Sequence, residues 1–317
     1  MYSAFMKRIL VAGGAGFIGS NFVNLIWQNK ISGFENIKLI VLDSLSYASN
    51  FDYIEKCIGN RIEFLQGDIL DRNLVMSLVS KVDGVINLAA ESHVDRSIDN
   101  PEVFLSSNII GASNIFAACE VFKKRILQVS TDEVYGSIAR GFADENHQLD
   151  PSSPYSSSKA SADLIGLAFH KTYGLDIVIT RCGNNYGYNQ YPEKLIPLFI
   201  KKLSTGKNVP LYGDGTNSRD WVHVEDHCNG IALAFLNGKS GNVYNIGNVD
   251  HLSNLQVTQE ILDAMGLGWN RVETVKDRPG HDWRYAISSN KIKRELNWVP
   301  KKNFKAELPS LINFYSL

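Results

Sequence analysis

Two neighbouring acids, Asp132 and Glu133, follow the apolar run ILQVS in the stretch STDEVYG (130–136). Further on, in YSSSK, Tyr155 and Lys159 stand four apart at the start of a helical pattern, so they share one face. An ammonium beside a phenol favours the phenolate, which lowers the expected pKa of Tyr155. Such a phenol can take a proton from a hydroxyl as hydride leaves the same carbon. The Thr131 hydroxyl, at the strand end, is placed to hydrogen-bond that oxygen. This much serves reversible hydride transfer. The two acids call for more: removal of water needs a base for a carbon-bound proton and an acid for the leaving hydroxyl, hence carboxyls in different protonation states. Consecutive strand residues face opposite ways, so for both acids to reach one substrate the chain has to bend at about Thr131.

The partner for such a hydride is legible at the other end of the chain. The loop AGGAGFIGSN follows an apolar run and opens a helical pattern, with Gly13, Gly16 and Gly19 three apart. Glycines there permit a tight turn, close backbone approach to a pyrophosphate and close helix–strand packing, while the helix N-terminus favours phosphate charge. Asp43 ends the second apolar run, where an acid holds the adenosine ribose hydroxyls and repels a 2′-phosphate, which favours NAD over NADP. Asp68, in QGDIL, ends the third and is placed near the adenine.

These residues must be positioned by a regular alternation. RILVAG (8–13), IKLIVLD (37–43), IEFLQGD (62–68), VDGVINLAA (82–90), RILQVS (125–130) and DIVITRC (176–182) read as strands. Residues 17–28, 101–122 and 156–174 read as helices, the last closed by Gly174. That rhythm predicts an α/β fold, a Rossmann-like doubly wound parallel sheet. The texture changes after 183, and DWVHVEDHCNGIALAFLNG (220–238) again reads as strand then helix. The expected division is 1–183 plus 217–247 for the dinucleotide, and 184–216 plus 248–317 as a smaller mixed α/β unit for the substrate.

Composition bounds the rest. The chain has 317 residues, 44% hydrophobic and 21% charged, with a formal net charge of −1. Nothing in that balance suggests a nucleic-acid surface. The four cysteines, Cys57, Cys119, Cys182 and Cys228, form no CxxC pair, which excludes a zinc ribbon and points to a reducing compartment. The glycine loop begins too soon for a signal peptide, and no apolar run is read as a membrane span. His223 and His227 are four apart in HVEDH. With no third ligand evident they are expected to be structural, and no metal is predicted.

The motifs GGAGFIGSN, LDSLSYASN, GDILD, LAAESHVDRSI, STDEVYG, SPYSSSKASAD, NNYGYNQYPEKLIPL, RDWVHVEDH, YNIG and DRPGHDWRYAI run from end to end. Through them the chain resembles the NAD-dependent nucleotide-sugar 4,6-dehydratases of the extended short-chain dehydrogenase family. Epimerases and decarboxylases share the Tyr/Lys oxidation but do not need the acid pair. The resemblance implies oxidation at C4 by Tyr155, Lys159 and Thr131, loss of the C5 proton to Glu133, protonation of the 6-hydroxyl by Asp132, and return of the hydride to C6. It implies cofactor contacts from Gly13, Gly16, Phe17, Ile18, Gly19, Asp43, Ser46, Asp68, Ile69, Leu88, Ala89, Ala90, Ser107, Tyr155, Lys159 and Asn185.

On the substrate side the resemblance implies Ser92, Asp95 and Asn184 at the sugar or phosphate, and Lys194 and Leu195, at a helix start, at the diphosphate. Pro210 and Tyr212 would flank the base, Arg219 would bind phosphate, and Asn254, Arg278 and His281 would complete the pocket with Tyr285 nearby. Thymine and uracil differ by one methyl, worth only about 1–3 kcal/mol in a pocket, so the base stays open here. A cytoplasmic homodimer packed through helices 101–122 and 156–173 is also implied. Two departures stand out: the short stretch 137–150, and Trp283 where the family commonly carries a second Arg.

Overall fold

The structure is a computed structural model that describes residues 6–248, 251–277 and 282–316. Six strands alternate with helices as expected: β1 (Arg8–Ala12), β2 (Lys38–Asp43), β3 (Ile62–Gln66), β4 (Gly84–Asn87), β5 (Arg125–Thr131) and β6 (Ile177–Cys182). The runs β1, β4, β5 and β6 are buried almost throughout, as parallel strands covered on both faces must be. Three more strands follow in β7 (Asn184–Tyr186), β8 (Val209–Tyr212) and β9 (Ser218–His223), then β10 (Asn242–Ile246), β11 (His251–Ser253) and β12 (Val272–Val275).

The large sheet has seven strands in the order β10-β6-β5-β4-β1-β2-β3, all parallel. This is a Rossmann-like α/β fold. Helices Phe17–Trp27 and Val224–Asn237 cover one face, packing Phe22 and Phe235 against it, with Phe34 of the loop before β2 between them. Helices Arg72–Val79, Pro101–Val121 and Pro154–Tyr173 cover the other, through Val75, Ile115, Phe116 and Ala162. A third core joins Tyr186, Phe199, Trp221, Ile261 and Phe304 beyond the sheet.

The segment 217–247 is divided in a way the sequence does not announce. Its strand β9 lies in a small three-stranded sheet, parallel to β7 and antiparallel to β11. Its helix and β10 belong to the large sheet. The crossover predicted for 220–238 is therefore present as strand and helix, but the strand serves the smaller unit.

Helix Pro101–Val121 differs from expectation in two respects. Residues Leu105–Gly111 adopt a π-helical stretch between two α-helical ones, the sort of interruption that often sits beside a functional site. The helix is also long and apolar enough, by length and composition, to cross a membrane, with 21 residues and a mean hydropathy of 1.2. Its inner face, with Ala112, Ile115, Phe116 and Cys119, is buried in the sheet core. A core helix of this kind passes the same test.

Candidate functional site

The strand order reverses between β1 and β4, the switch point where doubly wound sheets bind ligands. A cavity of about 650 Å³ opens there, lined by the ends of β1, β2, β4, β5 and β6. Gly13, Gly16, Phe17, Ile18 and Gly19 border it. Gly13 has φ +77, and a Cβ on it would stand 2.5 Å from the Ala89 backbone nitrogen. A Cβ on Gly19 would meet the Gly13 carbonyl oxygen at 2.1 Å. The loop can therefore be built only with glycines at these two places. The Asp43 carboxylate braces it, accepting from the Ala15 N–H (2.9 Å) and the Leu45 N–H (2.9 Å). Ser46, Asp68, Ile69, Leu88, Ala89, Ala90, Ser107, Asn185, Tyr155 and Lys159 line the same cavity. A glycine cradle at a helix N-terminus with an acid at the end of the next strand fits a dinucleotide.

The predicted bend is present. β5 stops at Thr131, and Asp132–Tyr135 form a turn of 3₁₀ helix. The Thr131 hydroxyl caps that turn by accepting the Glu133 N–H at 3.3 Å, and it donates to Asp132 Oδ1 at 3.3 Å. Both acids thereby reach the cavity wall, with Thr131, Tyr155 and Lys159. Tyr155 and Lys159 lie in the first turns of the helix Pro154–Tyr173, whose start is fixed by a Ser153–Ser156 capping box and whose end by Gly174 at φ +72.

The two carboxyls differ in setting. Asp132 is only 2% exposed, and its Oδ2 has no partner among the described residues. Burial, then Glu133 and Asp220, push its pKa well above the usual carboxylate range, against the opposing pull of Arg219. Asp132 is thereby biased toward its protonated form, as a proton donor has to be. Glu133 is partly exposed, with Oε2 3.4 Å from the Tyr285 hydroxyl.

One electrostatic expectation is corrected. The Tyr155 phenol is raised well above its ordinary value, chiefly by burial and then by Glu133, with the Thr131 hydrogen bond opposing. The Lys159 ammonium donates to the Val129 carbonyl at 2.7 Å, and burial lowers its own pKa. Burial disfavours the charged form of both groups.

The expected substrate residues separate. Ser92, Asn184 and Lys194 line the cavity, and the Lys194 ammonium donates to the Ser92 carbonyl at 3.3 Å. Asp95, Leu195, Pro210, Tyr212, Arg219, Asn254 and Tyr285 do not line it. Leu195 does start the helix Leu195–Ser204. Pro210 and the exposed Tyr212 sit on β8, and Asn254 opens the helix Asn254–Met265. Arg219 is 4% exposed, donating to the carbonyls of Ser218 and Asp282 and lying 4.4 Å over the Tyr285 ring. It stands behind Asp132. Tyr285 is buried, its hydroxyl donating to Asp282 at 2.6 Å. Arg278 and His281 lie outside the described residues. The short 137–150 stretch is laced to this region: Ser137 accepts the N–H groups of Trp283 and Arg284, and Arg284 donates to the carbonyls of Ile138 and Gly141.

Several lining residues were not singled out from sequence. Glu91, Cys182, Gln190, Tyr191 and Glu193 all border the cavity, although Glu91, Gln190, Tyr191 and Glu193 fall within motifs already quoted. Glu193 accepts from the Tyr47 hydroxyl at 3.2 Å and lies 3.7 Å from His93. Tyr191 packs edge-on to Tyr47 at 5.4 Å, and Arg96 stacks on Tyr47 at 3.4 Å. These contacts tie the loops after β2 and β4 to the segment 190–194.

The two histidines have separate tasks. His223 caps helix Val224–Asn237, its Nδ1 accepting the Glu225 N–H at 3.2 Å. His227 lies within that helix, fully buried, and burial lowers its pKa to about 3. Unfolded, it takes up a proton below about pH 6.5; folded, it stays neutral until about pH 3. In that window stability falls as pH drops, by about 1.4 kcal/mol per unit from this one group. Replacing His227 by Asn is expected to flatten the loss of melting temperature on going from about pH 6.5 to about pH 4.5, followed by calorimetry.

Over residues 10–310 the chain matches the family described as GDP-mannose 4,6 dehydratase. The chain belongs to that family. A dTDP-glucose 4,6-dehydratase from Streptomyces niveus is 44% identical over 310 residues, covering 97% of this chain and 92% of that protein. The crystal structure of DesIV, a dTDP-glucose 4,6-dehydratase from Streptomyces venezuelae solved with NAD bound, superposes with a TM-score of 0.95 at 46% identity, covering 98% of this chain and 97% of that one. A UDP-glucose 4-epimerase from Thermotoga maritima, solved with UDP-glucose, superposes with a TM-score of 0.89 at 27% identity, covering 98% of each. The fold is thus shared across the family's chemistries, and what separates them must lie in the site.

Proposed function

We propose that this chain is a dTDP-glucose 4,6-dehydratase. The observation that carries the proposal is the broken strand end at Thr131, which brings a buried, proton-bearing Asp132 and a partly exposed Glu133 to the same cavity wall as Tyr155 and Lys159. When bound, NAD would supply the hydride acceptor for C4 and, reduced, the hydride donor for C6.

In this reading Tyr155 takes the proton of the sugar 4-hydroxyl while Thr131 hydrogen-bonds that oxygen. Glu133 takes the C5 proton, acidified by the neighbouring ketone, and later returns one there. Asp132 gives its proton to the 6-hydroxyl, which leaves as water. Lys159, anchored to the Val129 carbonyl, holds positive charge at the cavity floor. The glycine loop, Asp43 and the other cofactor-side lining residues named above hold the dinucleotide, and Ser92, Asn184 and Lys194 meet the sugar diphosphate. The first 183 residues with helix Val224–Asn237 and β10 form the dinucleotide unit, and the remainder completes the substrate side. Four buried, unpaired cysteines suit a cytoplasmic setting.

Incubation with dTDP-glucose, UDP-glucose and GDP-mannose tests the substrate. Conversion of dTDP-glucose to a 4-keto-6-deoxy sugar, revealed by ultraviolet absorbance after base treatment, is expected, with no net consumption of added NAD. A 4-epimer as the only product overturns the assignment.

Dimerisation belongs to the same proposal. Val103, Leu105, Ile110, Val121, Leu164 and Tyr173 leave apolar side chains exposed on helices Pro101–Val121 and Pro154–Tyr173, a patch suited to a two-fold partner. Sedimentation velocity should show a dimer for the wild type and a monomer for the Ile110→Glu/Leu164→Glu variant.

A further inference from the structure

We infer that His227 is a positioning residue: its Nδ1–H fixes the Asn185 carboxamide and, through it, the Cys182–Asn185 wall of the cavity. The inference concerns this wall and holds whichever family reaction the cavity performs.

His227 does not line the cavity, yet its ring Nδ1 lies 2.9 Å from Asn185 Oδ1, across 42 residues of chain. The orientation of the Asn185 amide follows from its other side. Asn185 Nδ2 donates to the Gly183 carbonyl at 3.0 Å and to Cys182 Sγ at 3.4 Å. A flipped amide would set two oxygens against each other at Gly183. Asn185 Oδ1 therefore faces the histidine and can only accept, so His227 carries its proton on Nδ1.

That tautomer has a cost. His227 Nε2 is left as a buried acceptor with no partner among the described residues, an arrangement that lowers stability. With the proton on Nε2 that nitrogen would be equally unpartnered and two acceptors, His227 Nδ1 and Asn185 Oδ1, would face each other, so the fold keeps the Nδ1–H contact to Asn185. It reinforces the same turn from the opposite side, where Gln190 Nε2 donates to the Asn185 backbone oxygen at 2.9 Å. Cys182, Gly183, Asn184, Asn185 and Gln190 all line the cavity, beside Lys159 and Asp132. The helix Val224–Asn237, packed on the large sheet, thus sets the wall where β6 leaves that sheet and β7 enters the small one.

The residue type required at 227 is a short, rigid, uncharged donor one bond beyond Cγ. Asparagine supplies one at the position of Nδ1; aspartate offers only acceptors; leucine offers nothing. Three readouts test the inference on purified protein. In ¹⁵N spectra of the wild type, His227 should appear as the neutral Nδ1–H tautomer. His227→Leu and His227→Asp should lower kcat/KM by about tenfold or more, as a displaced wall misplaces the reactants, and should reduce the amount of NAD that copurifies. His227→Asn should recover both to within about threefold. A wild-type Nε2–H tautomer, or equal activity and NAD content in the Leu and Asn variants at matched folding by circular dichroism, overturns the inference. If the wild type converts none of the sugars tested, the tautomer and the copurified NAD still decide the matter.

Discussion

Replacing Glu133 by Gln lowers turnover of dTDP-glucose by about 10²–10⁴-fold, the usual contribution of a positioned proton-transfer group. In deuterated solvent the wild-type product carries deuterium at C5, and substrate recovered from the variant carries none. Wild-type turnover by Glu133→Gln would remove Glu133 from the mechanism. Asp132→Asn is expected to reduce turnover comparably while moving stability the other way. Asp132 has a folded pKa well above its unfolded one, so above the unfolded value its charged form is disfavoured by the fold and folding is penalised. An amide needs no proton, so the variant should melt at a higher temperature than the wild type at neutral pH. For the same reason wild-type activity should decline with rising pH as Asp132 loses the proton it donates, read in the pH–rate profile.

The second large effect is structural. Asp163 is fully buried and accepts from Arg181 Nε at 2.9 Å. The Arg181 guanidinium also donates to the Tyr135 hydroxyl at 2.9 Å, and Tyr135 donates to Asn245 at 2.8 Å. Removing one partner of such a pair leaves an uncompensated charge in the interior, so Asp163→Ala is expected to cost about 3–5 kcal/mol in denaturant unfolding. An Asp163→Leu/Arg181→Met double variant should recover most of that, because it removes both charges and keeps the volume. Asp163 is one helical turn from Lys159 and supports its charge against burial. The double variant should therefore fold and yet turn over more slowly. A cost below about 1 kcal/mol for Asp163→Ala would show that the pair is solvated in practice.

The parts of this molecule readable in the sequence are those in which local chemistry decides the outcome. Gly13 and Gly19 are irreplaceable for reasons confined to their own loop and the strand end beside it. The strands of the large sheet announce themselves as apolar runs because both faces are covered. The bend at Thr131 follows from the strand's period and the need for both acids on one side. What stayed hidden depends on distant partners. No local feature says that β9 leaves the large sheet to pair with β7 and β11, nor that Arg219 stands behind Asp132 against carbonyls of Ser218 and Asp282. Tyr212, which the resemblance sets beside the base, stands exposed on β8, paired with β12. The Tyr155 pKa rises where a fall was expected because burial, a property of the whole fold, dominates. The partnership of His227 with Asn185 needs a helix and a strand end from different parts of the chain to meet.

The clasp formed by Tyr47, Arg96, His93, Tyr191 and Glu193 has a consequence for kinetics. It joins the loops after β2 and β4 to the segment 190–194. A molecule lodged between these walls departs no faster than the clasp parts, whatever its affinity, because release by such a route is gated by loop motion. A reaction that returns its redox equivalent to the same sugar has no need to exchange its carrier. Residence time, more than binding strength, is the quantity that this arrangement governs.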